Sequence, residues 1–350
     1  MATPFYFSAW EIYSQVIILA TISSLGLTIV TIHTRPKIKQ TSAHSKGLHP
    51  RNVHQHGYDF TDLASCYPAL SAYVKTNAYG ELSIDFANPL AVKALNTALL
   101  KRHYNIVDWD IPAGALCPPI PSRVDYIHYI AELLGIDDGK TSSSSVKSTI
   151  TLLDIGTGAN GIYPILACQL YGWQCVGTDI NSQSLDNVEK FIARNSTLKN
   201  SFKLRLQPDK NHIFTGIIHP DEYFDVTVCN PPFHASLEEA LKGSQRKAHN
   251  LARNRGEQIK SARAVSPTLN FGGLGAELWC NGGERLFLKK MAKESKEFAS
   301  QCRWFTCLVS KNDNVLPISK LLRKLGTTDV REIKMTHGQK VTRILAWTFS

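Results

Sequence analysis

Asn230-Pro231-Pro232-Phe233 gathers hydrogen-bond acceptors, fixed backbone geometry and an aromatic face into four residues. It follows the apolar run Phe224-Asp-Val-Thr-Val-Cys229, which reads as a strand. The tetrapeptide therefore sits at a carboxyl end of a sheet, where open α/β folds bind ligands. The two prolines fix φ and remove backbone donors, so carbonyl acceptors dominate the turn. The Asn230 side-chain oxygen and the Pro231 carbonyl can hold the two hydrogens of a planar amine, leaving its lone pair freer to meet an electrophile. Phe233 offers a face for stacking, worth about 1–3 kcal/mol for a nucleobase. Such a site needs no strong general base, because its rate comes from in-line positioning and polarisation. A paired base has to leave its stack to reach it. The exocyclic amine of adenine in RNA or DNA and the side-chain amide of a protein glutamine all present the required donors.

The second constellation is Asp154-Ile-Gly156-Thr-Gly158-Ala-Asn-Gly161, between a predicted strand and a predicted helix. Its glycines let the turn tighten and the backbone approach a ligand. Asp179 ends the next strand, 25 residues after Asp154, and suits the two ribose hydroxyls of a nucleoside cofactor. This pattern fits a nicotinamide dinucleotide as well as S-adenosyl-L-methionine. Asp154 tilts it towards S-adenosyl-L-methionine, since a carboxylate ahead of the glycines suits an ammonium rather than a pyrophosphate. Asn230 borders both groups and is assigned to both the catalytic and the cofactor-binding sets.

These residues need a sheet to hold them. Ile150–Asp154, Gln174–Asp179, Phe202–Leu206, Phe224–Cys229, Trp304–Ser310 and Ile344–Phe349 read as strands, and Gly161–Tyr171 and Gln183–Asn195 as helices. The alternation predicts an α/β fold with a doubly wound, mostly parallel sheet. Ahead of it, apolar spacing from Tyr58 to about Tyr104 is helical, with a helix start at Asn88-Pro89. Residues 137–149 (DDGKTSSSSVKST) are a polar linker between a helical region (48–136) and the core (150–350). Residues 12–32 carry no charge and are long enough to span a bilayer, with basic residues following. Residues 1–47 are thus either an anchor with a basic linker or the product of an upstream start, and membrane contact depends on which. In both cases the remainder is expected in the cytoplasm. The segment 48–60 carries His49, His54 and His56 and reads as a polar arm without acidic or cysteine co-ligands, so no metal is expected. None of the eight cysteines forms a CxxC pair, which fits free thiols in a reducing compartment.

The formal net charge of +10 favours a polyanionic partner. Lys242, Arg246, Lys247, Arg253, Arg255, Lys260 and Arg263 stand against Glu257 alone in a stretch that reads as a phosphate-contacting loop. With Phe233, this loop favours a nucleic-acid base over a protein amide. The intact acidic and glycine residues argue against a non-catalytic RNA-binding protein, and the Asn-Pro-Pro-Phe turn serves no dehydrogenase. From Leu48 to Phe349 the chain resembles the 23S ribosomal RNA adenine-N6-methyltransferases of the RlmF type, the bacterial relatives of methyltransferase-like protein 16. The resemblance rests on LHPRNVHQHGYDF (48–60), IPAGALCPPIPSRVDYIHYIAELL (111–134), LLDIGTGANGIYP (152–164), CNPPFH (229–234), ELWCNGGE (277–284) and GQKVTRILAWTF (338–349). It implies a class I methyltransferase fold and N6-methylation of adenine 1618 in 23S rRNA, free or in a pre-ribosomal large subunit. It also implies that Arg123 contacts the carboxylate of the methyl donor, and that the N-terminal arm, with Arg51, and the basic loop grip RNA.

Overall fold

The computed structural model describes residues 39–40, 47–136, 149–234, 236, 238, 280–337 and 340–350. The apolar stretch 12–32, nearly all of the 137–149 linker and the basic loop 242–263 lie outside the described residues. Among those described, no helix is long and apolar enough to cross a membrane.

Eight strands form the main sheet: β1 (Lys39–Gln40), β4 (Thr151–Ile155), β5 (Gln174–Asp179), β6 (Phe202–Leu206), β7 (Phe224–Cys229), β8 (Cys302–Val309), β9 (Asp329–His337) and β10 (Lys340–Thr348). Their order is β1-β9-β10-β8-β7-β4-β5-β6. From β6 to β8 every neighbouring pair is parallel, while β10 runs antiparallel to both β8 and β9. The chain builds outward from β4 through β5 to β6, then returns to lay β7 on the other side of β4. That reversal opens a crevice at the carboxyl ends of β4 and β7, the place where doubly wound sheets bind ligands. The expected mostly parallel sheet is therefore present, and β5, β6 and β7 fall on their predicted bounds.

The strands alternate their side chains between two faces. On β8, Trp304 and Leu308 enter one core, while Phe305, Cys307 and Val309 enter the other. The first core takes α2 (Pro89–Tyr104), α3 (Ile120–Leu133), α4 (Ile162–Tyr171) and α5 (Ser182–Arg194). The second takes α7 (Gly283–Ser295) and α8 (Asn312–Leu325) together with Phe214 and Trp347. Among the described residues, the two further α-helices, α1 (Phe60–Cys66) and α6 (Ser196–Lys199), are short.

Two expectations for the N-terminal region need correction. The stretch from Tyr58 to Tyr104 is not helical throughout: α1 and a 3-10 turn (Pro68–Tyr73) lead into a small antiparallel hairpin, β2 (Val74–Thr76) and β3 (Leu82–Ile84). The Asn77 side chain accepts the N–H groups of Tyr79 and Glu81, and Gly80 takes φ +82°, so local turn chemistry overrides the apolar spacing. Asn88 does start α2, accepting the Leu90 and Ala91 N–H groups with Pro89 in the first turn. The histidine-rich arm is not a solvated tail either. His49 and Asn52 are buried against α3, where Asp125 accepts the His49 N–H and the Asn52 amide, and buried His54 pairs with the Tyr104 hydroxyl at the end of α2 at 2.8 Å.

Candidate active site

A cavity of about 1100 Å³ opens at the crevice between β4 and β7. Its floor is the turn after β4. Gly156 and Thr157 donate their N–H groups to the Thr178 carbonyl at 2.9 and 2.8 Å, which closes the turn onto β5. Gly156 and Gly158 take φ +74° and +63°, a region that favours glycine. A Cβ at Gly156 would meet nothing within 4 Å, so the missing side chain leaves open space in the cavity wall. At Gly161 a Cβ would press against Phe191 and Val188, so that glycine serves packing instead. Asp179 lines the cavity and accepts the N–H groups of Gly158 and Asn181 at 2.9 Å each, which holds its carboxylate at the turn.

Asp154 lies one layer below this wall. It is fully buried, and among the described residues neither its carboxylate oxygens nor the Thr157 Oγ1 beside it have a hydrogen-bond partner. Burial pushes the Asp154 carboxyl up to about 7; the nearby Thr157 hydroxyl opposes the rise, Asp179 adds to it and Arg123 opposes it. A buried carboxyl without a donor is costly when ionised, and a cation brought to it would relieve that cost.

Asn230, Pro231 and Pro232 line the same cavity. The Asn230 Oδ1 is buried and has no hydrogen-bond partner among the described residues, the signature of an acceptor awaiting a donor. Behind it, the Cys229 N–H reaches the Tyr126 hydroxyl at 3.4 Å, and that hydroxyl pairs with Thr306 at 2.7 Å. The end of β7 is thus braced from α3 and from β8. Phe233 is half-buried beyond the cavity wall.

Arg123 projects from α3 into the cavity, donating to the Tyr163 hydroxyl at 2.7 Å with its guanidinium over that ring. Together with Leu116 and Pro118 it makes the N-terminal region one wall of the site. Arg51 is placed elsewhere. Its guanidinium donates to the Ile136 and His128 carbonyls and lies 3.8 Å from Glu132, so it ties the arm to α3. The predicted loop cations from Lys242 to Arg263 lie outside the described residues.

The facing wall went unread in the sequence. It consists of the turn after β6, from Gln207 to Ile213, and the first turns of α7. Buried Glu294 on α7 accepts the N–H groups of Ile213, Phe214 and Thr215 at 2.9, 3.0 and 2.8 Å. One turn earlier, Lys290 donates to the Lys210 carbonyl at 2.8 Å. A second buried carboxylate, Glu284, instead holds Ser310, Lys311 and Asn314 at the start of α8. No helix is predicted over the span of α7, and nothing local marks where its carboxylates point. Just ahead of α7, the Cys280 N–H donates to the His234 carbonyl at 3.1 Å and joins this wall to the turn that carries Asn230.

The chain matches the RNA methyltransferase family over residues 42–350. It is 61% identical over 314 residues to a ribosomal RNA large subunit methyltransferase F of Saccharophagus degradans, covering 89% of this chain and 97% of that relative. A protein of the same name from Shewanella baltica (strain OS185) is 56% identical over 304 residues, 87% of this chain and 81% of its own length. Among solved structures, the hMettl16 catalytic domain in complex with MAT2A 3'UTR hairpin 1 superposes with a TM-score of 0.70 at 28% identity, covering 87% and 96% of the two chains. The N-terminal domain of human METTL16 in complex with SAH gives 0.67 at 27% identity, covering 87% and 99%. The sheet order and its antiparallel β10 are those of the class I methyltransferase fold.

Proposed function

The chain belongs to the RNA methyltransferase family, and from that premise we propose that it N6-methylates one adenine, adenine 1618, of 23S rRNA in the large ribosomal subunit, with S-adenosyl-L-methionine as donor. The observation that carries the reading is the unpartnered Asn230 oxygen in the cavity wall, directly before two prolines. An rRNA substrate, free or in a pre-ribosomal particle, makes the cytoplasm the working compartment.

The residues present fit the donor. Gly156 leaves room for close approach, the buried Asp154 carboxylate and Thr157 hydroxyl have no hydrogen-bond partner among the described residues, and Asp179 lines the cavity beside the glycines. Bound there, S-adenosyl-L-methionine would supply a methyl group on a sulfonium, which is already a good leaving group. Arg123 would hold its carboxylate, Asp154 would compensate its ammonium, and Asp179 would accept from its ribose hydroxyls. Asn230 Oδ1 and the Pro231 carbonyl would accept the two amine hydrogens and fix the nitrogen in line. Phe233 would cover the base where it enters from the half-buried edge. The cations of the 242–263 loop would contact phosphate.

Labelled donor should be incubated with deproteinised large-subunit rRNA lacking the modification, with naked DNA, and with release factor. Label is expected in RNA, as N6-methyladenine at the one position. Label in DNA or protein but not in RNA would overturn the proposal. Asn230→Ala should lower kcat on the order of 10²–10³-fold while SAH binding persists. Full activity in that variant would refute the role given to Asn230.

A further inference from the structure

We propose that Arg285, Lys289 and Lys293 of α7 form a rail for the RNA backbone, seating phosphates of the strand that flanks the target base. This rests on the RNA reading above and adds contact residues other than those of the arm and the 242–263 loop.

The cavity wall is lopsided in charge. Asp179 is its only acid among the described residues, while Lys210, Lys289, Lys290 and Lys293 all line it from the β6 turn and α7. The methyl donor does not explain those lysines, because it carries no phosphate and its sulfonium is itself cationic. Their charge suits an anionic group that enters the same cavity with the substrate. Lys290 is engaged with the Lys210 carbonyl, whereas Arg285, Lys289 and Lys293 make no ion pair with the described residues.

The register fits a strand. Positions 285, 289 and 293 recur every four residues, so they share one face of α7 at a rise of about 6 Å per step. That step is comparable to the distance between neighbouring phosphates of an unstacked strand. Exposed Leu286 lies beside them and offers an apolar contact for a sugar or base. The helix keeps its own carboxylates Glu284 and Glu294 buried, each occupied by N–H donors, so they do not neutralise the outer face. A base that leaves its stack needs its flanking strand held close to the cavity mouth, and this face borders the cavity that contains Asn230.

The test uses the full chain, a labelled transcript of the 23S rRNA segment around adenine 1618, and Lys289→Ala/Lys293→Ala. Each lost phosphate contact on a single strand lowers the slope of log K against log salt by about 0.7, so a drop of about 1.4 is expected. SAH affinity should stay unchanged, and Lys289→Arg/Lys293→Arg should keep the wild-type slope. The matched control is Lys320→Ala/Lys324→Ala, an exposed pair with the same spacing on α8, away from the cavity; its slope should not move. An unchanged slope in the α7 variant, or an equal drop in the α8 control, overturns the rail. If wild type methylates rRNA while the α7 slope is unchanged, the rail falls and the RNA reading stands. If the slope drops but no rRNA is methylated, the rail stands and that reading falls. A wild type that binds no transcript removes both.

Discussion

Asn230 and Asp154 share a property that matters more than their neighbourhood in a motif: both carry buried acceptors that the described residues leave without donors. Folding costs free energy at such atoms, and a bound ligand recovers it. For Asp154 the cost has a pH dependence. Its carboxyl stands near 3.8 when exposed and is pushed up to about 7 by burial in the fold. Between those values the folded state keeps a proton that the unfolded state has lost, so this residue's contribution to stability falls as pH rises through that window. Asp154→Asn should remove the fall and stabilise the ligand-free protein above pH 7 by a few kcal/mol. Urea unfolding of both proteins from pH 5 to 8 checks this, and parallel stability curves would refute it. In wild type, SAH affinity should climb as pH rises towards 7, and it should be flat in the variant. Asp154, Asp179 and Asn230 were legible in sequence because glycine and proline dictate backbone geometry within a few residues of them. Tyr163, Glu294 and the α7 lysines were not, because their partners lie far along the chain and only the fold brings them together. Arg51 shows the converse: a basic residue in a basic segment whose guanidinium is engaged by carbonyls of and just beyond α3.

At the level of elements, α7 is the strut of the site. Its Glu294 fixes the turn after β6 through three N–H groups, and its Glu284 fixes the start of α8 through equivalent chemistry. The two carboxylates therefore separate positioning from stability. Glu294→Gln turns an amide donor towards N–H donors and should cost about 1–3 kcal/mol. It should also weaken SAH binding on the order of tenfold, because the loosened turn is a wall of the cavity. Glu284→Gln should cost similar stability and leave SAH affinity unchanged. Calorimetric titration with SAH alongside thermal unfolding decides it, and equal affinity losses would reduce Glu294 to a structural residue. Strand β7 reads cleanly because both its faces are covered, which leaves a short apolar run with sharp ends, whereas β6 at the sheet edge reads by alternation, with Phe202 buried and Lys203 exposed. The late elements were harder. β9 mixes charged and apolar residues (DVREIKMTH), with Val330, Glu332, Ile333 and Met335 buried among the residues described to 336. The β2–β3 hairpin is exposed along much of its length, so its turn residues carry more information than its apolar ones.

Across the whole molecule, the N-terminal region and the sheet are not independent bodies. One core holds Leu99, Tyr126 and Ile130 together with Leu152, Ile165 and Leu308. Polar ties cross the same boundary: Trp109 Nε1 donates to the Asn160 carbonyl at 2.9 Å, and His128 pairs with the Tyr171 hydroxyl at 2.7 Å. Urea unfolding should therefore be a single transition, with tryptophan fluorescence and far-UV circular dichroism superimposing. Two separated transitions would show that the linker at 137–149 divides units that fold alone. The division at that linker is compositional, and the buried arm explains why: a segment rich in histidine and asparagine looked solvated, yet Asp125 and the Pro121 carbonyl supply the partners that let it be buried. The pairing of His234 with Cys280 has one more consequence. It brings both ends of the intervening insertion together at the edge of the cavity, like the neck of a purse. Closing a loop of twice the length on such a neck costs only about 0.6 kcal/mol more. The segment between them can therefore be lengthened, shortened or exchanged with little strain on the turn that carries Asn230.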